Sequence, residues 1–334
     1  MRNVIDKKVV VIGGGTGSFA VLCALKGRVA DLAALVSMTD DGSSTGILRD
    51  ELGVLPPGDV RNCLVALSEA PESLRNLFSY RFEEGTFKGH PLGNLFLSAA
   101  EKMTNNFGDA VRVASEVLRI DGHVIPITLD NVRLVLEWDD KTVVRGQGTI
   151  DKTDFGEYQG GRPNLYLDPP GHINPEAKKA IAQADVVIIA PGDIYTSLGP
   201  LLVVEGVSEA LANVKAKIVY ACNLMVKPGH TTGFTVADHA AEIERFAGGP
   251  IVDVVLYNTG TPPPELLEKY ACQGERPVPA DTKEFTGAHY EAVGYDLIAR
   301  APVVITKGDT HAVRRSLIRH DQEALSKAIL THIV

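Results

Sequence analysis

Residues 8–63 read KVVVIGGGTGSFAVLCALKGRVADLAALVSMTDDGSSTGILRDELGVLPPGDVRNC. The stretch opens on a branched apolar run, Val9 to Ile12, of the kind a strand buried on both faces requires. Gly13, Gly14 and Gly15 follow, then Thr16 and Gly17, and Phe19 to Leu25 has helical character. Glycines at a strand-to-helix turn permit positive φ and close approach of a ligand to the backbone. The amides at such a helix start can then face a phosphate. A second apolar strand, Leu32 to Val36, delivers a polar loop carrying Ser37, Thr39, Asp40, Asp41, Gly42, Ser43, Ser44 and Thr45. Strand ends along one edge of a parallel sheet are where such folds bind ligands. The segment predicts an α/β protein with a phosphorylated or nucleotide-like ligand, and it names no reaction.

Two familiar phosphate signatures are broken here. The dinucleotide fingerprint needs glycine at its first, third and sixth positions. Counted from Gly13, the third is Gly15 but the sixth is Ser18, and Ser37 stands where an acid would end the second strand. This weakens an NAD reading. The phosphate loop ending in Gly-Lys-Ser/Thr is absent, since Lys26 comes too late. A plain turn would not need three adjacent glycines, whose ordering costs backbone entropy.

Downstream, Pro56, Pro57 and Gly58 enforce a turn, and Asp59 is placed to cap a helix starting near Val60, with Arg61 and Asn62 in its first turn. A cation beside a helix N-terminus is unfavourable unless an anion compensates, so Arg61 marks an anion site. A short helix covers LRNLFSYRF, and another begins near Pro91 with His90 and Asn94 bracketing its start. FGDAVRVASEVLRI is amphipathic. From His123 to Val144 the pattern alternates in strand fashion, with WDDKT as a hairpin turn, and Asn164–Leu167 reads as a further strand. Residues 120–170 are therefore expected to form a small β-rich extension within a single domain spanning 1–334.

The parallel pattern then resumes. ADVVIIAPGD is a buried strand whose exit carries Asp193, Tyr195, Thr196 and Ser197, with a helix from about Pro200. Ile218–Cys222 is another strand, followed by Asn223, Lys227 and His230 and a helix from near Val236. Asn223 combines donor and acceptor and could read a base or ribose edge. IVDVVLYNTG repeats the arrangement, and a last strand is expected near Val303–Ile305 before a closing helix. His311, Arg314 and Arg315 could lend positive charge to the same cleft.

Global properties bound the function. A chain of 334 residues can bury a sizeable core. A net charge of −9 argues against broad nucleic-acid binding. Met1–Lys8 is mostly polar and no apolar run is long enough to span a bilayer, so no membrane span is expected and a cytoplasmic location is the default. Cysteines 23, 63, 222 and 272 lack ligand spacing and read as free thiols, with no metal site expected among them.

GGGTG at 13–17, TDDGSSTGILRDELGVLPPGDVRNC, YRF with KGHPLGN, APGDIYTSLGPLLV and VYACNLMVKPGHTTGFTVADH together resemble the YvcK-type gluconeogenesis factors, within the 2-phospho-L-lactate transferase (CofD-like) superfamily. The resemblance runs from Lys8 to about Leu330. The usual DDGGSSGRLR is DDGSSTGILR here, with Ile47 in place of a basic residue, and His230 stands where a glutamate is common. The resemblance implies a modified Rossmann-like three-layer α/β fold, a largely parallel sheet, and a UDP-sugar ligand such as UDP-N-acetylglucosamine. It also implies links to gluconeogenic growth and to cell shape. By the same resemblance Gly13–Gly17 would hold the diphosphate, Asp40 and Asp41 would lie near ligand or metal, and Asn223 near the nucleotide.

Two function classes follow. The first is a nucleotide-sugar-binding regulatory protein without fast chemistry, since no serine elbow or Cys–His pairing is visible. The second is a transferase using a nucleoside-diphosphate-activated donor, with Mg²⁺ held by Asp40 and Asp41. A homo-oligomer is expected on general grounds.

Overall fold

The apolar run Val9–Ile12 is nearly inaccessible to solvent and forms the C-terminal half of β1 (Ile5–Gly13). In the computed structural model, which describes residues 4–158, 161–300 and 317–333, this strand lies inside a seven-stranded sheet. The remaining strands are β2 (Val29–Val36), β3 (His123–Pro126), β4 (Arg133–Glu137), β5 (Val143–Arg145), β6 (Asn164–Asp168), β7 (Val186–Ile189), β8 (Lys217–Ala221), β9 (Val254–Asn258) and β10 (Glu291–Tyr295). The main sheet runs β10-β9-β8-β7-β1-β2-β3, and every neighbouring pair is parallel. Its register sets Gly13 beside Val36 and Ile12 beside Ile189, so the strands around β1 end level with one another. Each buried branched side chain contributes about 1.5–3 kcal/mol relative to exposure.

Helices flank the sheet: α1 (Gly15–Leu25), α2 (Ser43–Leu52), α3 (Gly58–Leu67), α4 (Glu72–Ser79), α5 (Leu92–Thr104) and α6 (Phe107–Leu118) come from the first half of the chain. α1 packs against α3 and against the closing helix Gln322–Ile333. A second, antiparallel sheet of order β5-β4-β6 carries the WDDKT turn, where the amide of Lys141 donates to the carbonyl of Trp138. Among the described residues no helix is long and apolar enough to cross a membrane.

Several boundaries differ from those read off the sequence. The β-rich extension is narrower than 120–170: His123–Pro126 joins the main sheet beside β2, and the small sheet occupies 133–168. The helix expected from Pro200 is preceded by a π-helical turn at Ile194–Leu198, capped by the Asp193 carboxylate. α3 starts at Gly58 with Pro57 at its N-cap, so Asp59 lies inside the first turn and does not cap it. β10 carries no buried apolar run because it is a half-exposed edge strand containing Gly294, where a Cβ would meet the Thr259 side chain at 2.5 Å. The strand expected near Val303–Ile305, and His311, Arg314 and Arg315, lie outside the described residues.

Candidate functional site

Strand order reverses between β1 and β7, and in open α/β sheets ligands bind outside the carboxyl ends of the strands at such a point. The two loops that leave there are Gly13–Gly17 and Ala190–Asp193. They are in intimate contact, because a Cβ on Gly17 would lie 1.7 Å from the carbonyl oxygen of Pro191. Gly15 adopts φ +64° with open space around it, and Thr16 is exposed. Gly14 is buried, and a Cβ there would lie 2.4 Å from Asp59 Oδ2. One side of the turn is thus closed by a carboxylate, and the other opens at Gly15 and Thr16.

Four helix starts meet around this turn. Asp59 of α3 sits against Gly14 and the amide of Gly15, at the start of α1. Gly58 of α3 abuts Asp40 Oδ2 and Thr45 Oγ1, which would stand 2.7 and 2.8 Å from a Cβ there. Asn94 Nδ2, in the first turn of α5, donates to Ser44 Oγ of α2 at 3.2 Å. The aliphatic stem of Arg61 crosses Gly93, which has no side chain to obstruct it. Among the described residues, helices of eight or more residues start with a side-chain cap or an acid in the first turn, except α1, α2 and α5. These three bring no such group of their own, although the Asp59 carboxylate of α3 takes the Gly15 amide at the start of α1.

Two carboxylates oppose that field. Asp59 is pushed up to about 7 by burial and by the charge of Asp40, against the pull of the Gly15 amide and Arg61. Asp40 is likewise raised by burial, with the Gly42 amide and the Thr45 hydroxyl working the other way. Asp41 points elsewhere: its Oδ1 accepts from the amide of Gly148 at 2.7 Å and its Oδ2 from that of Gln147 at 3.1 Å. The two adjacent acids therefore have different partners, Asp40 beside α3 and Asp41 on the Gln147–Gly148 amides. Arg61 is buried and donates to Asn62 Oδ1 at 2.7 Å, while Ser43 is exposed at φ +42°.

The segment from Gly146 to Phe155 spans the strand exits like a strap. Its start is held at the β2 exit by Asp41 and by the Thr39 hydroxyl, which donates to Gln147 Oε1 at 3.2 Å. Its far end is held at the β8 exit, where the amide of Phe155 donates to the Gly229 carbonyl and His230 Nε2 lies 3.0 Å from the Ile150 carbonyl. Since β1 and β7 lie between β2 and β8, the strap bridges the switch point. Lys227 Nζ joins Asp151, at 2.5 Å, to Asp193, at 2.9 Å. Burial alone would raise the Asp193 carboxyl, but the Lys227 ammonium and His230 hold it well below the usual carboxylate range.

Two of the residues that the sequence places at strand exits are engaged inside the protein. Tyr195 is fully buried and its hydroxyl donates to Glu242 Oε1 at 2.7 Å, so its side chain does not line the crevice. The amide of Asn223 both accepts from the Gly192 amide (2.9 Å) and donates to the Gly192 carbonyl (2.8 Å), pinning the β7 loop. The site also contains residues that sequence reasoning missed. Arg49 is buried under the acidic loop, donating to the Asp40 carbonyl and to Asn131 and Val132. Gln147 and Asp151 come from the distant extension, and nothing local in the sequence links them to Thr39 or Lys227. The sequence singles out both Ser44 and His90, but not their pairing across 46 residues, where Ser44 Oγ lies 2.8 Å from His90 Nδ1. Thiol chemistry has no support here: burial pushes Cys23 up to about 11 and Cys222 to about 12, far from thiolate formation. Two adjoining recesses of about 390 and 440 Å³ lie at the opposite end of the sheet, sharing Val214 and Lys215, away from the glycine turn.

Strand order, the all-parallel main sheet and the glycine turn at the switch point define a doubly wound α/β protein of the Rossmann-like class. The family model described as 2-phospho-L-lactate transferase CofD matches residues 9–298. A Thermotoga maritima relative is 41% identical over 323 residues, 96% of this chain and 98% of its own. A Bacillus subtilis protein named gluconeogenesis factor is 38% identical, over 93% of this chain and 97% of its own. The crystal structure of a UPF0052 family member from Bacillus halodurans superposes with a TM-score of 0.87 at 35% identity, covering 98% of this chain and 100% of that one. The chain belongs to the CofD family.

Proposed function

We propose that this protein binds a nucleotide sugar of the UDP-sugar class at the switch point, as a regulatory protein linked to carbon metabolism and to control of the cell envelope and cell shape. The observation that carries the binding reading is the glycine turn at the switch point, with the starts of α2 and α5, neither bringing a cap or first-turn acid, linked to it through Gly58 and Asp59 of α3. Free amides and positive dipole ends at helix N-termini favour a diphosphate. The link to carbon metabolism rests on the relatives named gluconeogenesis factor. The link to cell shape rests on the YvcK-type resemblance.

A second reading, a Mg²⁺-dependent transferase acting on a nucleoside-diphosphate-activated donor, is favoured by Asp40 and Asp59 beside the turn. Among the described residues no three acid, histidine or cysteine side chains assemble as metal ligands. Mg²⁺ often needs only one or two carboxylates plus substrate phosphates, so Asp40 and Asp59 fit a cation that enters with its diphosphate. When bound, such a cation would neutralise phosphate charge.

Calorimetric titration with UDP-N-acetylglucosamine, GDP and NAD, each with and without Mg²⁺, separates the readings. Binding of the uridine sugar that is indifferent to metal supports the first. Metal-dependent GDP binding, with product formed on adding an alcohol acceptor to an activated donor, supports the second. Absence of binding by either nucleotide contradicts both, and preference for NAD returns the site to an oxidoreductase reading.

A further inference from the structure

The side-chain amide of Asn94 lies in the gap between the first turns of α2 and α5, and it is incompletely used. Asn94 is only 2% exposed; its Nδ2 donates to Ser44 Oγ, while its Oδ1 is buried without a hydrogen-bond partner. Because the two ends of an amide are about 2 Å apart, the orphan end lies in the same gap. Ser44, 5% exposed, in turn faces His90 Nδ1 at 2.8 Å. Neither helix start brings a cap or an acid of its own.

A serine hydroxyl has one proton, so this chain of three side chains has two self-consistent polarities. In one, Ser44 donates to His90 Nδ1, Asn94 donates to Ser44, and a carbonyl oxygen is left over. In the other the amide is turned by 180°: His90 Nδ1–H donates to Ser44, Ser44 donates to the Asn94 oxygen, and an N–H is left over. The surroundings are the N-termini of two helices, which favour an anion. An anion accepts hydrogen bonds, so it selects the second polarity.

We propose that His90, Ser44 and Asn94 form a hydrogen-bond relay whose Asn94 end seats a phosphate oxygen of the ligand, and that ligand binding moves the His90 proton from Nε2 to Nδ1. This rests on the diphosphate reading above and extends it to α5, which that reading uses only as a helix start. Asn94 is the contacting residue; Ser44 and His90 are positioning residues that set its orientation.

The test uses the full chain with inorganic pyrophosphate and UDP-N-acetylglucosamine as probes. Calorimetry on wild type and Asn94→Ala is expected to show about tenfold or greater weakening for both probes, as for loss of a hydrogen bond to a charged group. Asn94→Asp, which places a carboxylate against the anion, weakens binding further. ¹⁵N histidine NMR of the wild type is expected to show His90 as the Nε2–H tautomer in the free protein and Nδ1–H when saturated with pyrophosphate. That readout does not depend on any variant folding. Unchanged affinity in a folded Asn94→Ala, or an unchanged His90 tautomer in saturated wild type, overturns the relay while leaving the diphosphate site standing. Wild type that binds neither probe overturns the site and the relay together.

Discussion

Asp59 packs its carboxylate onto Gly14, where a Cβ would collide with it, and its acid strength is set by that burial and by Asp40. Its folded-state value of about 7 lies above the ordinary 3.8. A carboxyl raised in this way favours the folded state at low pH. That contribution is lost as pH rises from about 4 through 7, because the folded protein must then ionise a group that resists it. Asp59→Asn removes the loss. Thermal unfolding in EDTA is predicted to show the variant more stable than wild type at pH 8, by at most about 4 kcal/mol, with the advantage narrowing toward pH 4; equal pH slopes would contradict the environment assigned to Asp59. Ser43 offers a second test. It holds φ +42°, a region costing a non-glycine residue roughly 1–2 kcal/mol, at the position where the motif it resembles carries glycine. Ser43→Gly is predicted to stabilise the protein by about 1 kcal/mol in denaturant titration, and a neutral or destabilising result would mean the loop relaxes out of that conformation. Such details were only partly legible in the sequence. The glycines announced a close approach, but that Asp59 would supply one wall of it, rather than cap its own helix, depends on how α3 docks on α1.

At the scale of elements, strands and helices with strong patterns were readable, and the pieces held by distant partners were not. Val9–Ile12 and the run before Gly192 declare buried parallel strands by composition alone. The strap from Gly146 to Phe155 has no such pattern; its place is fixed by Asp41, Lys227 and His230, which are remote in sequence. Asp41 illustrates the consequence. Read beside Asp40 it resembles half of a metal pair, whereas alternation of direction between neighbours sends it to the amides of Gln147 and Gly148. Asp41→Ala is therefore predicted to loosen the strap. Hydrogen exchange over residues 146–153 should speed up, and stability should fall by about 2 kcal/mol, the scale for losing charge-assisted bonds to backbone amides. Unchanged exchange there, with altered exchange confined to the glycine turn, would argue that Asp41 serves the ligand directly.

At the scale of the whole molecule, seven parallel strands with a reversal beside β1 bring together loops from residues 13–17, 37–45, 57–62, 90–94 and 190–193. The α/β class followed from recurring strand, polar turn and helix. The order of the strands, which decides which turns share a crevice, does not follow from local pattern, because it depends on how each crossover packs. The central claim is that a nucleotide sugar's diphosphate rests where α1, α2 and α5 begin. The most direct measurement is a crystal structure of the full chain with UDP-N-acetylglucosamine bound. The account predicts diphosphate oxygens within about 3 Å of backbone amides in Gly15–Gly17 or Ser43–Ser44. A ligand found instead in the recess beside Lys178 and Lys215, or a glycine turn whose amides all face the protein interior in the complex, would contradict it.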